Sequence, residues 1–195
     1  MQPNQLILAS ASPRRKLLLS QMGLKFSVQV SFAQENDSPD LDPIDLVTNN
    51  AQIKAESVAI GFPHALVLGS DTTVSLGGKI FAKPKDRSEA AAMLMELSGH
   101  WHDVYTAIAL DWRAGEFKSV CYAMSQVQFK ELSPAVIESY HQEVNPLDKA
   151  GAYGIQEASE QIIQGFRGSK DTIMGLPTEL LALQLEKYGF RAFYQ

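Results

Sequence analysis

The sequence predicts an α/β fold, and three observations carry that prediction. The chain opens on a short apolar run, a turn, an amphipathic stretch and then an alternating segment, which together make a β-α-β unit. Further helical and strand-like segments follow in turn along the chain, with no internal repeat, linker or low-complexity stretch between them. Its 195 residues, 45% apolar, suffice for one sizeable core and are too few to argue for two, so residues 1–195 are expected to form one domain.

Gln5–Ala9 reads as a buried strand. Ser10-Ala11-Ser12-Pro13-Arg14-Arg15-Lys16 then turns into a helix over Arg14–Met22, with leucines at 17, 18 and 19 and Gly23 as its stop. Pro13 suits the first turn, where its missing N–H costs nothing. Backbone N–H groups and the positive end of the helix dipole converge there, so an anion is the natural guest, and Arg14 and Arg15 can fork onto phosphate oxygens. Lys25–Val30 alternates as a half-buried strand does.

From Ser31 to Asp42 the chain turns polar, with Glu35, Asp37, Asp40 and Asp42. Acidic stretches of this kind are ordinarily solvated loops; Glu35, coming straight off the end of a strand, is also placed to reach a metal. Asp45–Ile60 follows as a helix whose core positions include Leu46, Ala51, Ile53, Ala55 and Val58, with Lys54 expected to face solvent. Ala65–Leu76 is more informative, because an apolar run enters Gly69-Ser70-Asp71-Thr72-Thr73 before the apolar pattern resumes. A core strand does not carry a carboxylate without a partner. Asp71 is therefore a cation ligand, a general base or a turn residue. Gly77-Gly78 marks a hairpin, whose second arm should return Lys83 close to Asp71. An aspartyl-phosphatase nucleophile is excluded, since that chemistry needs a second Asp where Thr73 stands.

Asp86–Leu97 is a helix closed by Ser98-Gly99. Asp103–Asp111 and Ser119–Phe129 are two strands joined by a turn at Arg113-Ala114-Gly115, and His100 and His102 before them are expected to pack or face solvent rather than bind metal. Ser133 caps a further helix. Asn145–Gln156 is rich in small residues and reads as a loop that a ligand approaches closely, with the Gln156 amide able to read a nucleobase edge. Ile162–Phe166 is a short strand, and Thr178–Tyr188 the last helix.

Charge and cysteine content narrow the function. Net charge is −5, so no broad basic footprint for nucleic acid exists and phosphate recognition must be local. One cysteine, Cys121, excludes an internal disulfide framework and fits a reducing compartment. With no signal-peptide pattern and no apolar run of membrane-spanning length, a cytoplasmic protein is expected.

Taken together, Leu8-Ala9-Ser10-Ala11-Ser12-Pro13-Arg14-Arg15, Gly69-Ser70-Asp71-Thr72, Lys83-Pro84, Leu97-Ser98-Gly99 with His102 and Thr106, Asp148-Lys149-Ala150-Gly151 and Gly175-Leu176-Pro177 resemble, in order, the motifs of the Maf family of nucleoside triphosphate pyrophosphatases. Ala150–Gln156 is similar to the branch acting on dTTP and UTP rather than on 7-methyl-GTP. The resemblance implies a Maf/ITPase-like fold, with a central twisted mixed sheet flanked by helices and two lobes around a cleft. It implies cleavage of a nucleoside triphosphate to monophosphate and pyrophosphate, which would clear surplus or modified nucleotides. It implies catalytic Asp71, Glu35 and Lys83, with Asp71 activating water. Glu35 and Asp71 would sit at a divalent cation (Mg²⁺, Mn²⁺ or Co²⁺). Ser10, Arg14, Arg15, Lys54, Thr72 and Gln156 would bind substrate. A homodimer, with no nucleic-acid or membrane partner, is the implied assembly.

Two departures stand out. Asn49 lies where many relatives have an arginine, and Gly168–Gly175 partly resembles the 7-methyl-GTP branch. The competing reading is a catalytically silent nucleotide-binding regulator of cell division, against which Asp71, Glu35 and Lys83 argue. A nucleic-acid binder would require a steep salt dependence that the acidic balance does not suggest.

Overall fold

Two runs of consecutive buried residues, Leu6–Leu8 (β1) and the first part of Leu66–Leu76 (β3), lie side by side in parallel, with Leu6 opposite Leu66 and Leu8 opposite Leu68. Strands buried on both faces need no polar alternation, and these form the centre of the computed structural model, which describes residues 2–36, 38 and 41–191. Phe26–Val28 (β2) adds in parallel to the outer edge of β1. Lys79–Phe81 (β4) pairs antiparallel with the far end of β3. Trp101–Trp112 (β5), Phe117–Phe129 (β6) and Ile163–Arg167 (β7) extend the sheet antiparallel on the other side. The result is a seven-stranded mixed sheet in the order β2-β1-β3-β5-β6-β7 with β4 on β3.

Helices cover both faces. Side chains of even number on β1 and β3 (Leu6, Leu8, Leu66, Leu68) pack with Pro13–Gln21 (α1) and Thr178–Glu186 (α7). Those of odd number (Ile7, Ala9, Val67) pack under Pro43–Ala59 (α2) through Val47, Ala51, Ala55 and Val58. This is the period of two that a strand imposes, and each fully buried leucine contributes roughly 1.5–3 kcal/mol. A separate cluster at the far end of the sheet joins Val74, Phe81, Val104, Val127 and Phe129 to Arg87–Leu97 (α3) and Pro134–Glu143 (α4). Short helices Ser159–Ile162 (α5) and Lys170–Met174 (α6) flank β7.

The fold class agrees with the sequence reading, and most elements differ from it only at their ends. Of the alternatives left open for Asp71, a turn is ruled out: β3 runs unbroken through Gly69-Ser70-Asp71-Thr72-Thr73, and α2 supplies Asp71 with its partners. The α6 helix was not foreseen; five residues between Ser169 and Gly175 are too short for a periodic signal. Asp37 and Asp40 of the acidic stretch lie outside the described residues. Cys121 is half-buried and its thiol is pushed up by burial, consistent with a packing residue. His102 is buried, donating or accepting at Tyr153 Oη over 2.7 Å and packed edge-on against Phe129. Among the described residues no helix is long and apolar enough to cross a membrane.

Two features position the site. The first is a gap along β3. Pairing with β1 ends at Leu68, pairing with β4 starts at Val74, and between them Gly69–Thr73 is bonded to β5 alone. The second is Gly69. A Cβ there would lie 2.2 Å from the Ala51 carbonyl oxygen and 2.7 Å from the Ala55 nitrogen, so only glycine lets α2 sit this close.

Gly69→Ala should consequently force α2 off the sheet. The expected loss is about 2 kcal/mol or more, a Tm drop of roughly 4–8 °C in a thermal melt, and an unchanged Tm would refute the contact. A second expectation concerns acid. Burial lowers the His102 imidazole from 6.5 to about 4. The fold keeps this ring neutral where the unfolded chain protonates it, so stability is untouched above neutrality and falls as pH drops from 6.5 towards 4. Between pH 7 and pH 5 that ring should cost about 2 kcal/mol. Urea denaturation of His102→Gln should show a shallower pH dependence by this amount; equal slopes would mean the ring is charged in the fold.

Candidate active site

The gap in β3 opens into a cleft of about 300 Å³, at the low end of ligand-site volumes. It lies beyond the carboxyl end of β1, where open α/β sheets bind ligands. Its lining includes Ser10, Arg14, Arg15, Glu35, Lys54, Asp71, Thr72, Lys83 and Asp148. Eight of the nine residues expected at the site therefore meet in one place.

Asp71 points to the α2 side of the sheet and is 9% exposed. Its Oδ1 accepts from Lys54 Nζ at 2.7 Å and its Oδ2 from Asn50 Nδ2 at 3.3 Å. Lys54 Nζ lies equally close, 2.7 Å, to Glu35 Oε2. The two carboxylate oxygens are thus within twice that distance of each other and share one ammonium. Lys54 was expected to face solvent; instead its side chain is 9% exposed. The reason is spacing: Asn50 and Lys54 lie one turn apart on the helix face that Gly69 draws onto the sheet.

Thr72, next along the strand, points to the opposite face. Its hydroxyl accepts from Arg15 Nη2 at 3.0 Å and pairs with Thr106 Oγ1 at 3.0 Å. Arg15 also donates from Nη1 to Ser10 Oγ at 3.3 Å and from Nε to the Gly175 carbonyl at 2.8 Å. Burial lowers the Arg15 guanidinium, while Asp71 and Glu35 hold it up. Gly175, at φ +103, places that carbonyl where it also receives the Ser70 hydroxyl at 3.1 Å.

The N-terminus of α1 offers fewer free donors than the sequence suggests. Pro13 has no N–H, the Arg15 N–H is taken by Ser12 Oγ at 3.4 Å, and the Ser12 N–H is taken by Ser10 Oγ at 3.2 Å. The arginine side chains carry more of the positive field. Arg14 reaches across the cleft to Asp148, with Nη1 3.2 Å from Oδ2. Burial pushes the Asp148 carboxyl up, but Lys149 and Arg14 more than offset this, leaving it below its ordinary value. Lys149 itself is 4% exposed, bonded to Asp148 Oδ1 at 2.8 Å and the Asn145 carbonyl at 2.8 Å.

Lys83 and Gln156 stand apart from the bonds around Asp71. The lysine bonded to Asp71 is Lys54, whereas Lys83, beyond the β3–β4 hairpin, stands exposed in the cleft wall. Gln156 is exposed and not part of the cleft lining, which Gly154 and Ile155 contribute instead. The residues that sequence reasoning passed over are Asn50 and Asp148. A polar side chain one turn before Lys54, on an otherwise apolar helix face, is a signal that could have found Asn50.

The donor set can be tested against a divalent cation. Two carboxylates, one half-exposed to the cleft, already hold a cation between them in the form of the Lys54 ammonium. Hard oxygen donors in this number, beside a cleft lined by cationic side chains, suit Mg²⁺ or Mn²⁺ completed by water and phosphate oxygens. The residues present fit such an ion.

A family model described as Maf-like protein matches residues 5–188. The "dTTP/UTP pyrophosphatase" of Moorella thermoacetica is 42% identical over 184 residues, 92% of this chain and 95% of that protein. Those of Pelotomaculum thermopropionicum (39% over 186 residues, 95% and 97%) and Gloeobacter violaceus (40% over 193 residues, 97% and 98%) are similar along the same span. Among solved structures, a HAM1 protein from Coxiella burnetii aligns at TM-score 0.48 and 16% identity, over 91% of this chain and 89% of that one. With the family model spanning nearly the whole chain and these relatives near 40% identity, the protein belongs to the Maf-like family.

Proposed function

We propose that this chain is a cytoplasmic nucleoside triphosphate pyrophosphatase that hydrolyses dTTP and UTP to nucleoside monophosphate and pyrophosphate. The observation that carries the reading is the pairing of Asp71 and Glu35 on one ammonium at the edge of a cation-lined cleft. The names of the relatives support the choice of substrates.

A triphosphate brings close to four negative charges, and more charge develops on the leaving pyrophosphate as the bond to the α phosphorus breaks. Arg14, Lys83 and the two N–H groups of Arg15 not spent on Ser10, Thr72 and Gly175 face that charge. Ser10 and the first turn of α1 orient it. Asp71 takes the proton of the attacking water, and the hydrogen bond from Lys54 holds the carboxylate in place for it. Glu35 and Asp71 would hold the divalent cation. When bound, that ion neutralises phosphate oxygens and makes water more acidic, so a carboxylate suffices as base. Lys54 spends two of its three N–H groups on those carboxylates and has the third to offer a phosphate oxygen. The apolar part of the cleft, with Val74, Val104, Tyr153 and Ile155, remains for sugar and base.

With dTTP or UTP and Mg²⁺ or Mn²⁺, chromatography should find monophosphate and pyrophosphate in equal amounts. Orthophosphate with diphosphate, or no product from either nucleotide or from 7-methyl-GTP, would refute the reading. Asp71→Asn should lower kcat by about 10²-fold or more with an unchanged circular dichroism spectrum; near-native turnover would remove Asp71 as the base.

A further inference from the structure

The loop that carries Glu35 has no ladder to hold it. After β2 ends at Val28, residues 29–36 belong to no strand or helix, and α2 starts at Pro43. Yet Glu35 must stand at a fixed distance from Asp71 if both are to serve one cation, and a carboxylate on an irregular loop does not find that distance alone. Two buried side chains of α2 address this loop and Asp71 together, Lys54 through the Glu35 carboxylate and Asn50 through the backbone that follows it. Asn50, on the inner face of α2, is 3% exposed. Its Oδ1 accepts the Asn36 N–H at 2.8 Å, and its Nδ2 donates to the Asn36 carbonyl at 2.8 Å. The other Nδ2 proton goes to Asp71 Oδ2 at 3.3 Å. The amide orientation follows from its partners, since a backbone N–H needs the oxygen while a carbonyl and a carboxylate need the NH₂.

We propose that Asn50 is a positioning residue, a clasp that fixes the peptide after Glu35 to α2 and to Asp71 and thereby sets the spacing of the two carboxylates. The double bond pattern to Asn36 reproduces what a neighbouring strand would provide, N–H and C=O of one residue engaged together. It leaves the loop little freedom to slide along α2. Both Nδ2 protons are used, so removing the Asn50 amide frees the loop and takes a donor from Asp71 at once. A purely structural role is poorly supported: α2 is fixed to the sheet by Leu46, Val47, Ala51, Ala55 and Val58. Asn36 is itself exposed, so its backbone groups can return to water when released. Two further ties, Ser31 to Ser57 at 2.8 Å and Glu35 to Lys54, hold the loop at side chains only.

The inference rests on the pyrophosphatase reading for its kinetic arm alone. In the metal-free protein, Asn50→Leu should speed hydrogen exchange at the Asn36 amide by about tenfold or more, with Tm lowered by about 5 °C or less. Mn²⁺ alone, titrated into the protein and followed by electron paramagnetic resonance, should bind about 10–100-fold more weakly. With dTTP, kcat should fall by a comparable factor while KM, set by the cationic wall, moves about threefold or less. Asn50→Ser, which leaves α2 unstrained, should do the same. Native exchange at Asn36, native Mn²⁺ affinity, or kcat and KM changing together would overturn the clasp, and so would global unfolding of both variants, which would make Asn50 a core residue. Failure of the wild-type protein to release pyrophosphate would instead defeat the pyrophosphatase reading and leave the exchange and Mn²⁺ arms to decide the clasp.

Discussion

A carboxylate in the middle of a central strand has to be neutralised from somewhere, and here the source is a helix that glycine alone allows to come near enough. Gly69 lets the α2 backbone touch β3, and two residues further on Asp71 meets the helix face that carries Asn50 and Lys54. Removing a partner from a buried charge costs about 3–5 kcal/mol. The charge cluster and the close helix–strand contact therefore stand or fall together. Widening that contact would strand Asp71, and Asp71 in turn is what makes an ammonium worth burying on an otherwise apolar face.

The same strand creates the cleft by being longer than β1 and β4, which share one of its edges. β1 leaves it at Leu68 and β4 joins it at Val74. Because side chains alternate, the exposed stretch presents different chemistry to each face: Asp71 to α2, and Thr72 to Arg15 and Thr106. The apolar cluster under α3 and α4 begins at Val74, whereas those under α1, α2 and α7 end at Leu68 and Val67. The cleft is the place where two parts of the core fail to meet across one sheet.

What could be read from the sequence follows from the range of the forces involved. Strands β1 and β3 and helices α1, α2 and α3 have local periodicity and were legible, as was the oddity of a carboxylate inside an apolar run. Glu35, Asp71, Ser10, Arg14 and Lys83 were legible as motifs, and the structure gathers them. Pairings between distant elements were not. The β3–β4 hairpin brings Lys83 into the cleft of Asp71 as expected, but the bond from Lys54 was not legible, because the approach of α2 to β3 depends on a contact between residues 51 and 69 that no local pattern encodes. Gln156 has the right chemistry to read a base, yet the turn beyond Gly154 leaves it facing solvent.

The two arginines of the first helical turn show how a site rich in charge stays stable without its ligand. Neither is left to water. Arg14 is held by Asp148 from the opposite wall, and Arg15 by two hydroxyls and the Gly175 carbonyl. The bonds of Arg15 use three of its five N–H groups and tie the start of α1 to β3 and to the loop after α6, so this guanidinium is a strut that still has donors to offer. Arg14 has only an exchangeable partner, a half-exposed carboxylate. On the proposed function, an incoming polyphosphate would substitute for Asp148 rather than fill a void, which would limit the gain to the difference between two ion pairs. Selectivity for a highly charged ligand would follow from that difference: a monoanion would gain little over the carboxylate it displaces, while a triphosphate would have Arg14, Arg15 and Lys83 in one cleft to engage.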